Sequence, residues 1–153
     1  MEKSSELKKK YKVFHYTTTV QWTGERTGLL RSEGKSDISV ASPPEFKGVP
    51  YVWTPEDLFV AALNICQMNT FVAYALRKGV ILISYKSEAV GTLDFVDGSY
   101  RFVSVRITPK ITVKGSVTES DVAQIVREAH EGCLIANSIN SDVEIEPSIS
   151  IVS

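Results

Sequence analysis

The residues of this chain best suited to chemistry are its two cysteines, Cys66 and Cys133. A thiolate is a strong nucleophile, but an ordinary thiol is mostly protonated at neutral pH and is among the most buried of side chains. The pair lacks CxxC spacing and is too small a set for a disulfide scaffold. Apolar filler and reactive thiol are therefore both open readings. His130 precedes Cys133 by three residues, a spacing that begins some zinc sites. A structural zinc takes four ligands, however, and folding would have to recruit Cys66 and His15 as well, so no metal is expected. Cys66 with His130 is also a conceivable cysteine hydrolase. Such an enzyme needs an oxyanion hole, and a cysteine deep in a helix has no free backbone N–H groups nearby to build one.

Cys66 lies in the clearest element of the sequence, a helix expected over residues 54–78. Thr54 can cap it, Pro55 suits its first position, Asp57 completes a Thr-x-x-acid pattern, and Gly79 can stop it. Leu58, Ala61, Ala62, Ile65, Cys66, Met68, Val72, Ala75 and Leu76 cover more than one narrow stripe, so a largely buried central helix is expected. Glu56, in its first turn, complements the helix dipole in the plainest reading. Alternation of β-branched and aromatic residues predicts strands over 12–22, 28–32 and 38–41, followed by a proline-rich loop over 42–52. Two long strands, 80–96 and 100–113, join through Asp97-Gly98, a strong hairpin signal, and Pro109 argues for an edge or a bulge in the second. Thr118 and Asp121 open another helix with Val122, Ile125, Val126 and Ala129 on its apolar face. Cys133 either continues that face or follows a break at Gly132. A last strand is expected over 143–152, interrupted at Pro147. The order β-β-β-α-β-β-α-β implies one α+β domain over residues 1–153, with residues 1–10 a frayed basic tail.

With 153 residues and 16.9 kDa the chain is domain-sized, and its 43% hydrophobic and 23% charged residues are near the globular average. A formal charge of −1 removes the counterion-release term on which general nucleic-acid binding depends. Asn64, Gln67 and Asn69 interrupt the longest apolar stretch, so no membrane span is expected, and the lysine-rich start is not that of a secretory signal. A cytoplasmic protein is the expectation.

Two segments together resemble the OsmC/Ohr family of thiol-dependent hydroperoxide reductases. One runs from Thr54-Pro55-Glu56-Asp57-Leu58 through Ala61-Ala62-Leu63 to Cys66; the other is Ala129-His130-Glu131-Gly132-Cys133 with Asn137-Ser138. The loop Ser42-Pro43-Pro44-Glu45-Phe46-Lys47-Gly48 is similar to one in OsmC-like members. One departure is visible: Leu134 stands where the family usually has proline after its second cysteine. The resemblance implies an OsmC-like fold, long antiparallel sheets on a buried central helix in an intertwined homodimer. It also implies a cofactor-free peroxidase for organic hydroperoxides. Cys66 would be the peroxidatic thiol and Cys133 the resolving one, and an external dithiol, a lipoyl group in the best-known branch, would recycle their disulfide. The family's arginine matches Arg26, with Arg31 the second candidate, and Glu56 would orient it. The alternative is a related binding module for a small apolar or thiol-bearing ligand with little turnover.

Cys66 sits beyond the reach of its helix N-terminus, so a fixed cation is expected to lower its pKa. Glu56 and Cys66 are ten residues apart, about 15 Å along a straight helix, which predicts a site shared across a dimer, with Cys66 and Cys133 from one chain and Arg26 and Glu56 from the other. Phe59, Leu63, Ile65 and Met68 are expected to line an apolar substrate pocket, each with an equal claim to be plain core.

Overall fold

A computed structural model describes residues 11–153; the basic tail expected over residues 1–10 lies outside them. The chain divides into two compact units, one ending at Thr54 and the other starting at Pro55. In the first, β1 (Thr19–Gly24), β2 (Thr27–Arg31) and β3 (Ile38–Ala41) form an antiparallel sheet in that order. The first strand begins seven residues later than its pattern predicts, at Thr19 instead of 12. Alternation reveals which side chains suit a pleat but not whether a partner strand lies alongside, and Tyr11, Val13, Phe14 and Tyr16 are exposed outside any ladder. The proline-rich loop holds a short 3₁₀ turn, Pro44–Phe46, and folds so tightly that a Cβ on Gly48 would lie 1.5 Å from Ser42 O.

The second unit contains α1 (Pro55–Arg77), β4 (Ile81–Val96), β5 (Ser99–Lys114), α2 (Glu119–Glu131), β6 (Asp142–Ile145) and β7 (Ser148–Val152). Asp97 and Gly98 both take positive φ, 52° and 87°, as the tight turn between β4 and β5 requires. The last predicted strand breaks at Pro147 into β6 and β7, and both pair with β5 in parallel. β5 is therefore a central strand, not the edge that Pro109 suggested. Ile107 O accepts from Glu146 N at 2.9 Å, so by the two-residue period Pro109 turns its N–H-less nitrogen to the same side, where β6 has ended and β7 not yet begun. The two prolines thus share one gap in the ladder.

Phe71, Ala75, Val80, Ile111, Val113, Val122, Ile125, Val126 and Ala129 join both helices to the sheet in one core cluster, and Leu63, Val105 and Ile107 form a second. α2 starts with the reciprocal cap its sequence predicts: Asp121 N donates to Thr118 Oγ1 at 3.1 Å, and Thr118 N to Asp121 Oδ2 at 2.9 Å. α1 is less enclosed than expected. It buries a single stripe at four-residue steps, Leu63, Gln67, Phe71 and Ala75, while Ile65, Val72 and Leu76 are 54%, 39% and 76% exposed. By length and hydropathy α1 is long and apolar enough to cross a membrane. Here its buried stripe packs within the second unit, where Leu63 and Phe71 are fully enclosed.

Candidate functional site

Cys66 lies midway along α1, and Cys133 follows the end of α2. α2 stops at Glu131, and the Gly132 and Cys133 N–H groups close its last turn on Glu128 O (3.0 Å) and His130 O (3.2 Å). Gly132 has a local reason: a Cβ there would stand 2.3 Å from the Tyr74 hydroxyl on α1. Past Cys133 the chain coils once more, with Asn137 N donating to Cys133 O at 3.0 Å and Ser138 N to Ile135 O at 3.0 Å. The first amides of such a turn have no partner within it. These amides instead face sulfur. The Leu134 and Ile135 backbones hydrogen-bond Cys66, the Ile135 and Ala136 backbones hydrogen-bond Cys133, and the two thiols hydrogen-bond each other.

That asymmetry separates the thiols electrostatically. Burial pushes the Cys66 thiol up, but the Ile135 N–H, the Cys133 thiol, the Leu134 N–H and the Thr70 hydroxyl together outweigh it and hold the group below an ordinary cysteine. Burial pushes the Cys133 thiol up; the Ala136 N–H opposes this, but the neighbouring Cys66 adds to the rise, and the net shift is upward. Cys66 thus ionises first, with Cys133 as its protonated donor. The free amides that Cys66 lacks in its own helix are delivered by residues 134 and 135, and they perform part of the task that sequence reasoning assigned to a fixed cation.

Beside Cys66 lies a groove of about 600 Å³ walled by Ala62, Ile65, Asn69, Thr70, Ala73, Tyr74, Gly132, Leu134 and Ile135. Of the four residues expected to form a pocket, Ile65 is in this wall. Leu63 is fully buried against Val105 and Ile107, Phe59 stacks on Phe102 with ring centroids 4.6 Å apart, and Met68 is half-buried outside the lining. The missed wall residues Ala62, Asn69, Thr70 and Ala73 stand at −4, +3, +4 and +7 from Cys66. Helical spacing carried that signal, where nearness in sequence did not.

Residues 48–148, a stretch that includes both cysteines, match the family model for OsmC-like proteins. The chain belongs to the OsmC-like family. An OsmC-like protein of unknown function from Vibrio cholerae shares the fold with a TM-score of 0.83 and 26% identity, over 89% of this chain and 100% of that one. An organic hydroperoxide resistance protein from Legionella pneumophila shares the fold at a TM-score of 0.72 and 20% identity, covering 92% and 99%. A Staphylococcus aureus protein described as organic hydroperoxide resistance protein-like is 19% identical over 139 residues, 90% of this chain and 97% of its own length. OsmC-like membership with relatives so named supports a peroxidase-type or stress role.

The remaining site residues expected in an OsmC-like protein are distributed over both units. Glu56 stands in the first turn of α1, half-buried, its Oε2 enclosed without a hydrogen bond. Arg26 is exposed in the turn between β1 and β2 and donates from Nη1 to Phe46 O at 3.1 Å, while Arg31 pairs with Asp37 at 3.1 Å. His130 does not line the groove, and its Nδ1 is buried without a partner. Among the described residues no three His, Cys, Asp or Glu side chains gather in a metal-binding cluster.

Proposed function

We propose that this protein is a cytoplasmic two-cysteine peroxidase for organic hydroperoxides. The observation that carries the reading is the pair of mutually hydrogen-bonded thiols at an apolar groove, one held low and the other high. The Cys66 thiolate attacks the terminal oxygen of R–O–O–H. The O–O bond breaks, Cys66 becomes a sulfenic acid, and the departing alkoxide takes a proton to leave as the alcohol. Cys133 then displaces water from that sulfenic acid, forming a Cys66–Cys133 disulfide, and an external dithiol reduces it by exchange. The protonated state of Cys133 suits this order, because it does not compete for peroxide.

Arg26 and Glu56 enter as a pair supplied by a second copy of the chain. α1 is continuous from Pro55 to Arg77, so the about 15 Å rise from Glu56 to Cys66 holds. The unbonded Glu56 Oε2 is suited to accept from a guanidinium. The exposed strip Ile65, Val72 and Leu76 is apolar surface that a partner would cover. Turnover of cumene hydroperoxide with a small dithiol tests the enzyme. Cys66→Ser is expected to abolish it, and Cys133→Ser to leave a sulfenic acid that a dimedone-type reagent traps. Turnover retained by Cys66→Ser contradicts the mechanism, and none in the unaltered protein favours the binding module.

A further inference from the structure

We propose that Thr70 is a further catalytic residue of this site, its hydroxyl moving one hydrogen bond from the Cys66 carbonyl to the Cys66 sulfur when that sulfur becomes a thiolate. Thr70 lies four residues beyond Cys66, directly over it on the next turn of α1, and lines the same groove. Its Oγ1 donates to Cys66 O at 2.8 Å, and the same hydroxyl is within hydrogen-bonding reach of the Cys66 thiol. A threonine in a helix commonly bonds the carbonyl four residues back and does nothing more. The sulfur on the same residue as that carbonyl makes this threonine different.

A hydroxyl has one proton to donate, so the two acceptors compete for it. A neutral thiol is a weak acceptor and loses to the carbonyl. A thiolate is charged, and hydrogen bonds to charged acceptors are about twice as strong as neutral ones, so the sulfur wins. A rotation of the hydroxyl about the Cβ–Oγ1 bond makes the exchange, and the proton stays on Oγ1 throughout. Once the sulfur has become a neutral sulfenic acid the preference reverses. Thr70 therefore favours the reactive state of Cys66 selectively, whereas a purely structural bond to the carbonyl would be indifferent to ionisation.

The consequence for turnover rests on the peroxidase reading, but the ionisation does not, and alkylation separates the two. The rate of Cys66 modification by iodoacetamide, followed by peptide mass spectrometry across pH, reports the thiolate without any peroxide. Thr70→Val is expected to move the midpoint up by about one pH unit, so that modification well below the midpoint falls roughly tenfold. The high-pH plateau is expected to stay level or rise, because a less stabilised thiolate is the better nucleophile. Thr70→Ser is expected to keep the original midpoint, and Thr70→Ala to shift as Val does. Superimposable profiles, a Ser variant that shifts as far as Val, or a shift in Val without one in Ala overturns the proposal. A shifted midpoint in a protein that consumes no hydroperoxide upholds Thr70 and removes the peroxidase.

Discussion

At the scale of single residues, the two thiols differ through the backbone around them more than through their own side chains. Leu134 is informative here. Proline has no N–H, whereas Leu134 turns one toward the Cys66 sulfur. The first position of a helical turn accepts proline, so Leu134→Pro removes a single donor with little disturbance to the turn. Because Cys66 lies below an ordinary cysteine, its thiolate forms at lower pH, and losing a donor moves that transition up. Leu134→Pro is expected to raise the midpoint for Cys66 alkylation by about one unit, while Leu134→Ala leaves it in place. Equal midpoints for the two would remove the Leu134 amide from the account. In the unaltered protein at neutral pH, Cys66 is expected to be labelled well before Cys133, which is held above an ordinary thiol and only 1% exposed.

At the scale of elements, whatever depended on a few neighbouring residues was legible in advance. The Thr118–Asp121 cap, the Asp97-Gly98 turn and the start of α1 at Pro55 all appear where local chemistry puts them. Thr118→Ala removes an acceptor from the first turn of α2 and is expected to cost about 1 kcal/mol in urea unfolding. No loss would mean that packing of Val122, Ile125 and Val126 alone holds that end. What depended on a distant partner was not legible. Periodicity measured how much of α1 is apolar but not what covers it, so a largely enclosed helix was expected where one stripe is buried. Pro109 looked like an edge residue because the parallel strands on either side of Pro147 come from the far end of the chain. The chemistry of the site divides the same way. The two cysteines stood out by residue type, but the amides of residues 134–136 have no side-chain signature and depended on an unread turn after Gly132.

At the scale of the whole molecule, the remaining proposal is that two chains complete one site. Cys66→Ser lacks the nucleophile and Arg26→Gln the cation, so each variant alone is expected to be nearly inactive. Unfolding and refolding the two together allows a chimaeric dimer in which one site has Cys66 and Cys133 from one chain and Arg26 and Glu56 from the other. Mixed material is then expected to recover a substantial fraction of activity, up to about a quarter from statistical pairing alone. Mixtures no more active than their components would place each site within one chain. The claim beneath all of this is that Cys66 and Cys133 are redox partners. Its most direct measurement is peptide mapping by mass spectrometry after one equivalent of an organic hydroperoxide, under non-reducing conditions. The expected result is a Cys66–Cys133 cross-link within one chain that a dithiol removes. Cys66 oxidised to sulfinic or sulfonic acid beside an unmodified Cys133, with no cross-link, would contradict it.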